Sequence, residues 1–244
     1  MTTPNSPAPA NSPQDRLIVA LDFPDAASAL ALTARVGPAI RWVKVGLELF
    51  IAEGPGIIST LAARGLNVFL DLKLHDIPNT VAGAVRTASS AGAGLLTLHA
   101  GGGPAMLQAA ANAAAGLPNP PQLLAVTVLT SMDAPQLNAI GVSAPPAAQV
   151  ARLASMAWTS GIRGFVCSAE EITSTHTAFP DATLVIPGIR PAGAAIGDQK
   201  RVATPASAIA AGASYLVVGR PITQAPDPAA ATTAILREIA SATK

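Results

Sequence analysis

The sequence predicts an α/β protein, a single-domain (β/α)8 barrel of the TIM type. Eight short segments are apolar nearly throughout, which is typical of parallel strands buried on both faces. These segments are 17–21, 42–45, 67–72, 95–98, 123–128, 164–167, 183–186 and 215–218. Segments with apolar residues at helical spacing alternate with them, at 25–36, 56–63, 81–91, 104–115, 147–160, 207–211 and 232–242. Eight strands alternating with helices in 244 residues favour this barrel.

The main alternative fold is a doubly wound open sheet. A Gly-x-Gly-x-x-Gly sequence after the first strand would indicate its dinucleotide-binding form, and the chain has none there. No domain-scale linker follows residue 15, so we assign 16–244 to one barrel domain. Residues 1–15 are rich in Pro, Ser and Ala and lack the charged and apolar regions of a secretory signal, which predicts a flexible tail.

The composition argues against several classes of protein. A formal net charge of +1 gives no basic field that would attract nucleic acid. Segment 87–132 lacks Asp, Glu, Lys and Arg, but glycines and prolines interrupt it, so it does not form an apolar run of about 20 residues. Cys167 is the only cysteine, which excludes an intramolecular disulfide and favours the cytoplasm. We therefore expect a cytoplasmic protein that binds neither nucleic acid nor membrane.

Titratable side chains lie at the ends of the first four predicted strands. Asp22 follows the first strand, Lys44 lies within the second, and His99 ends the fourth. Asp71 and Lys73 end the third, and their spacing of two places them on the same side of a strand. Because the carboxyl ends of barrel strands form the active-site face, we expect these residues to share one rim. The alternative is a set of buried structural ion pairs.

Residues 71–80, Asp-Leu-Lys-Leu-His-Asp-Ile-Pro-Asn-Thr, form the densest polar cluster in the chain. Pro78 favours a turn after the strand, and the following Asn and Thr are suited to cap a helix. Asp76 then lies on a loop beyond the strand end. From that position it faces either the same site or a partner subunit.

A phosphate site is predicted after the last two strands. Gly219 allows a ligand to approach the backbone, and Arg220 can hold phosphate oxygens through two hydrogen bonds. Arg190 follows the seventh strand, and the sequence of segment 191–204 predicts a mobile loop that can fold over an anion. Barrels of this kind often bind phosphate at these loops. A solvated surface charge is the alternative for either arginine, but their positions at adjacent strand ends favour a site.

Over about residues 16–240, these motifs resemble the orotidine 5′-phosphate decarboxylase family in its bacterial form. The most specific is segment 71–80, which matches the family signature D-x-K-x-x-D-I-P-N-T. The supporting motifs occur in the family's order: Ala20-Leu-Asp22, Val43-Lys-Val-Gly46, Thr97-Leu-His-Ala100, Val128-Leu-Thr-Ser131, Pro187-Gly-Ile-Arg190, Gly197-Asp-Gln199 and Val218-Gly-Arg220.

The resemblance implies a carboxy-lyase that converts orotidine 5′-phosphate to UMP and CO2 in de novo pyrimidine biosynthesis. It implies no cofactor and no metal, so the protein itself must stabilise the carbanion that forms at C6. Lys73 would then be the proton donor, within a charged array of Asp71, Asp76 and Lys44. The resemblance also implies a homodimer in which Asp76 reaches the neighbouring site.

The same resemblance implies the residues that bind the substrate. Asp22 and Lys44 suit the ribose hydroxyls, and Thr130, with Ser131, suits the amide edge of the pyrimidine. For the phosphate, the family pattern points to Arg190, Gln199, Gly219 and Arg220. The remaining substrate contacts that it implies are Asp71, Ile77, Thr80 and Pro187.

Two other functions stay open on the sequence alone. A sugar-phosphate aldolase or decarboxylase of the same superfamily, such as a hexulose-phosphate synthase, shares Asp-x-Lys-x-x-Asp but uses Mg2+ and an enediolate. The continuation Ile77-Pro-Asn-Thr80 favours the nucleotide decarboxylase. A barrel that binds a phosphate ligand without turnover is the second alternative.

Overall fold

The computed structural model describes residues 12–191 and 203–242. Eight parallel strands, paired in chain order, close into a barrel when β1 pairs with β8, which confirms the predicted fold. The strands β1 to β8 are Leu17–Ala20, Trp42–Val45, Asn67–Leu74, Ala93–His99, Gln122–Val126, Gly164–Val166, Thr183–Ile186 and Tyr215–Val218. The strand bounds differ from the sequence prediction by at most two residues at either end, and β3, for example, continues two residues further, to Leu74.

Twelve α-helices surround the barrel in the described part of the chain. The helices α1 to α12 are Pro13–Arg16, Ala26–Val36, Leu47–Glu53, Gly56–Ala62, Pro78–Ala91, Gly103–Ala115, Ala134–Ala139, Pro146–Thr159, Ile172–Ala178, Pro205–Ala210, Arg220–Thr223 and Pro228–Ala242. All seven predicted helices are present. Several begin earlier than predicted, at a proline, because proline suits the first position of a helix. Among the described residues, no helix combines the length and the apolar character needed to cross a membrane.

The start of the barrel domain differs from the sequence prediction. Most of the predicted tail, residues 1–11, lies outside the described residues, so its flexibility stays a prediction. Residues 12–16 are structured: Ser12 and Asp15 form a reciprocal cap on α1, and Asp15 forms a salt bridge with Arg41 at 2.7 Å. The last residues assigned to the tail therefore belong to the folded domain.

The barrel interior contains apolar side chains below a layer of polar ones. Its buried cluster is Ile18, Ala20, Trp42, Phe69, Leu95, Leu124, Val185, Tyr215 and Val217. Because successive residues of a strand point to opposite faces, the next inward position lies two residues further along each strand. Those positions hold Asp22 after Ala20, Lys44 after Trp42, Asp71 after Phe69 and Thr97 after Leu95. The packing of the barrel thus delivers the polar residues to its carboxyl-terminal mouth.

Candidate active site

Four charged side chains form an array of alternating sign across β1, β2 and β3. The Lys44 ammonium lies 2.7 Å from Asp22 Oδ1 and 3.8 Å from Asp71 Oδ2. The other oxygen of Asp71, Oδ1, accepts a hydrogen bond from Lys73 Nζ at 2.9 Å. These residues share one rim, as the sequence predicts.

The centre of this array is partly shielded from water. The side chains of Lys44 and Asp71 are 12% and 14% exposed, whereas those of Lys73 and Asp22 are 34% and 59% exposed. Charges at such depth are costly unless they are paired, and here each has a partner of opposite sign. The more exposed Lys73 is therefore held at one end of the array with its ammonium accessible from the barrel mouth.

The backbone at Lys73 adopts an unusual conformation. Its φ of 51° makes it the one described non-glycine residue in the left-handed region. The pairing of β3 with β4 also shifts here, since Leu70 pairs with Leu96 but Leu74 pairs with Leu98. Such a backbone costs about 1–3 kcal/mol and persists where the surroundings impose it, often at functional sites. Asp71 and Lys73 therefore meet at an irregularity in β3 rather than along a regular strand.

The larger of two adjacent cavities is suited to an anion. It has a volume of about 420 Å3, and its lining includes Asp22, Lys44, Arg190, Gly219 and Arg220. Burial lowers the pKa of the Arg190 guanidinium, and the positive charge of Arg220 lowers it further. Because two like charges approach each other here, an anion placed between them would relieve their repulsion.

The smaller cavity lies beside Lys73 and has a volume of about 140 Å3. Lys73, Asp71 and Thr130 are among its polar lining residues. Its apolar walls include Phe69, Val126, Val166 and Val217. Lys44, Pro187 and Val217 line both cavities, so the two form one continuous site.

The other predicted site residues lie near the mouth or outside the described residues. Ser131 is exposed next to Thr130, and Ile77 and Thr80 are exposed at the start of α5. Asp76 is also exposed, and its Oδ1 accepts a hydrogen bond from the Ile77 N–H at 2.6 Å. Gln199 lies outside the described residues. Within the described ranges, no three His, Cys, Asp or Glu side chains are grouped so that they could hold a metal ion.

Some residues of the site were not identified from the sequence. Thr97 is buried and bonds both Asp71 and Lys73, and the inward alternation of β4 would have indicated it. Thr223 and Gln224 line the larger cavity, but they follow the last strand on a short helix, where no strand pattern points to them. Cys167, expected only as a buried strand residue, also lines the smaller cavity.

His99 packs beside the array. Its ring stacks on His75 with the centroids 5.3 Å apart, and its Nδ1 accepts a hydrogen bond from the Gly101 N–H at 3.1 Å. Burial lowers the pKa of His99 below its ordinary value of 6.5, and the nearby His75 and Lys73 lower it further. The structure therefore favours a neutral imidazole at this position.

Comparison with known proteins agrees with this geometry. A family model described as orotidine 5′-phosphate decarboxylase / HUMPS family matches residues 15–235. The chain belongs to this family. Two curated relatives named orotidine 5′-phosphate decarboxylase, from Halorhodospira halophila and Anaeromyxobacter sp. strain K, are 56% and 54% identical to it. The alignments cover 93% and 91% of the chain and 97% of each relative.

A solved structure also supports membership of the orotidine 5′-phosphate decarboxylase / HUMPS family. The crystal structure of orotidine 5′-phosphate decarboxylase from Lactobacillus acidophilus superposes with a TM-score of 0.82 at 41% sequence identity. The match covers 92% of this chain and 98% of that one. The chain therefore shares its overall fold with this decarboxylase.

The neutral state of His99 predicts a loss of stability in mild acid. Below pH 6.5 the unfolded chain binds a proton that folded His99 resists, so the free energy of unfolding falls until the lower folded-state pKa is reached. His99→Gln should reduce the loss of stability between about pH 7.5 and about pH 5.5, as measured by urea denaturation. His176→Gln, at an exposed histidine, is the control. An unchanged acid loss in His99→Gln would contradict the assignment.

Proposed function

We propose that this protein decarboxylates orotidine 5′-phosphate to UMP and CO2 in pyrimidine biosynthesis, and that it does so in the cytoplasm without a cofactor. The observation that carries the proposal is the array Asp22–Lys44–Asp71–Lys73 beside a cavity lined by two arginines. Membership of the family and the names of the curated relatives support the same reaction.

The chemical difficulty lies in the electrons that the departing CO2 leaves behind. When the C6–carboxylate bond breaks, its electron pair stays in an in-plane orbital that the ring π-system does not delocalise. A positive charge fixed beside C6 before the reaction stabilises this carbanion without reorganisation. We assign this role to Lys73, and two observations support it: Lys73 lines the smaller cavity, and Asp71 holds its ammonium. The ammonium then donates a proton to C6, and solvent returns a proton to the amine.

The two cavities suggest how the nucleotide is oriented. The phosphate would bind between Arg190 and Arg220, with Gly219 allowing close approach and Gln199 contributing from segment 191–204. The ribose would then lie beside Asp22 and Lys44, and the pyrimidine would enter the smaller cavity near Thr130 and Ser131. Pro187 lies between the two cavities and would contact the nucleotide where they join. Binding energy from the phosphate can thus be used to orient the pyrimidine ring beside Lys73.

The test of this function uses two substrates. The purified protein should consume orotidine 5′-phosphate, followed by its ultraviolet absorbance, and EDTA should leave the rate unchanged. A ketose phosphate assayed with and without Mg2+ is the comparison. Turnover of the ketose phosphate alone, dependent on Mg2+, would assign the chain to the aldolase-like branch of its superfamily. Nucleotide binding without turnover would indicate a binding protein.

The proposed assembly is a homodimer in which Asp76 completes the neighbour's site. Among the described residues, Asp76 makes no salt bridge within its own chain, although Lys44, Asp71 and Lys73 all do. Ile77 is 67% exposed, and Ile51, on the helix that follows β2, is 78% exposed. Large apolar side chains so exposed near the mouth favour contact with a second copy. Ile77 and Thr80 would then contact the substrate of the neighbouring subunit.

Lys73→Ala should lower kcat by at least about 10²- to 10³-fold, the scale for losing one electrostatic stabiliser. Its affinity for UMP should change less, because the arginine-lined cavity remains. Stopped assays with excess enzyme measure the rate of turnover, and titration with UMP measures the affinity. Circular dichroism verifies the fold. A folded Lys73→Ala protein with near-normal turnover would refute the assigned role.

Arg220→Ala should reduce kcat/KM by on the order of 10²-fold, since a charged double hydrogen bond to phosphate is lost. In the Arg220→Ala protein, substrate that does bind should still be decarboxylated through Lys73. Arg152→Ala, at an exposed arginine of α8, is the matched control and should retain full kcat/KM. Equal kinetics for the two variants would argue against a phosphate site at Arg220.

Mixing two inactive variants tests the shared site. A dimer of one Lys73→Ala subunit and one Asp76→Ala subunit contains one intact site if Asp76 acts across the interface, because the Lys73→Ala subunit lends its Asp76 to its partner. Activity should therefore reappear when the two proteins are unfolded and refolded together. Each variant refolded alone is the control. If mixed dimers form but remain inactive, Asp76 acts within its own chain.

A further inference from the structure

Thr97 joins the backbone of Lys73 to the carboxylate of Asp71. It lies on β4, and its side chain is completely buried, at 0% exposure. Its Oγ1 accepts a hydrogen bond from the Lys73 N–H at 2.8 Å and donates one to Asp71 Oδ1 at 3.0 Å. We propose that Thr97 is a positioning residue for decarboxylation, which fixes Lys73 and Asp71 in the relative positions that the reaction needs. This proposal rests on the function proposed above.

The direction of both hydrogen bonds follows from the groups involved. An amide N–H only donates, so the threonine oxygen must accept from Lys73. An ionised carboxylate only accepts, so the single hydroxyl proton must go to Asp71. A hydroxyl does both through a single oxygen atom. An apolar side chain of the same shape would satisfy neither partner.

The irregularity in β3 explains why Lys73 needs such a partner. Between Leu70 and Leu74, β3 has three residues where the paired stretch of β4 has one, Thr97. Within this longer stretch of β3, the Lys73 N–H donates its hydrogen bond to the Thr97 side chain and not to a backbone carbonyl of β4. A left-handed backbone at a lysine persists only where its neighbours impose it, and Thr97 supplies one of those restraints.

Thr97 also decides which oxygen of Asp71 faces which lysine. Its hydroxyl and the Lys73 ammonium both bind Oδ1, at 3.0 and 2.9 Å, while Oδ2 is turned towards Lys44 at 3.8 Å. Without the hydroxyl, only the two lysines would hold the carboxylate, so it could rotate and move the Lys73 ammonium with it. Because preorganisation depends on fixed charges, this rotation would lower the rate of the chemical step more than it weakens substrate binding.

The test compares variants that differ in the hydroxyl. Thr97→Val keeps the branched shape and should lower kcat about 10- to 100-fold, the scale for misplacing a reacting group. KM for orotidine 5′-phosphate and the affinity for UMP should change little. Thr97→Ser restores a hydroxyl at the same atom and should retain most of the activity. Thr232→Val, which removes an equally buried hydroxyl on the outer helix α12, is the control and should keep wild-type kcat.

The outcomes separate this proposal from a purely structural role. Equal losses in Thr97→Val and Thr97→Ser would mean that shape rather than the hydroxyl matters, and would overturn it. So would a Thr97→Val protein with wild-type kcat, or one that loses only affinity. Should Thr97→Val fail to fold, the pair Thr97→Ala and Thr97→Ser carries the same comparison. A wild-type protein without turnover overturns both proposals, whereas an active wild type with an equally active Thr97→Val overturns this one alone.

Discussion

The carboxylate of Asp71 is the interaction on which the site depends. One of its oxygens binds the Lys73 ammonium and the Thr97 hydroxyl, and the other faces Lys44, whose ammonium also contacts Asp22. Without this carboxylate, two ammonium groups would face each other in a region that is only partly open to water. Their repulsion would be large there, because the effective dielectric is lower than in bulk solvent. The site therefore requires a negative charge between the two lysines, so the order of the charged residues along the rim matters as much as which residues they are.

The apolar interior of the barrel makes this arrangement possible. Trp42 and Tyr215 meet edge to face with their ring centroids 5.5 Å apart, and Phe69 is buried in the same interior cluster, two residues before Asp71 on β3. A dense floor of this kind keeps water from solvating the charges from beneath. It also fixes the strand ends, so that the charged side chains start from rigid backbone positions. The packed core and the charged rim are two parts of the same strands, separated by a step of two residues.

Much of this organisation could be predicted from the sequence, because parallel strands buried on both faces have a clear apolar pattern. The same pattern located Asp22, Lys44, Asp71 and Lys73, since charges are rare beside such segments. The helix Leu47–Glu53 is not predicted from the sequence, because only Gly46 separates it from β2 and its apolar residues follow directly on those of the strand. The irregular backbone at Lys73 was also missed, because it arises from pairing with β4, which no local pattern encodes.

The two kinds of site residue come from opposite halves of the chain. The charged array is built on β1 to β3, whereas Arg190 and Arg220 follow β7 and β8. The first and last strands pair directly, so the two sets become neighbours only once the ring of strands has closed. A half-barrel intermediate would thus have either the charged array or the pair of arginines, but not both. A site that combines the charged array with the two arginines is accordingly a property of the closed barrel and of neither half alone.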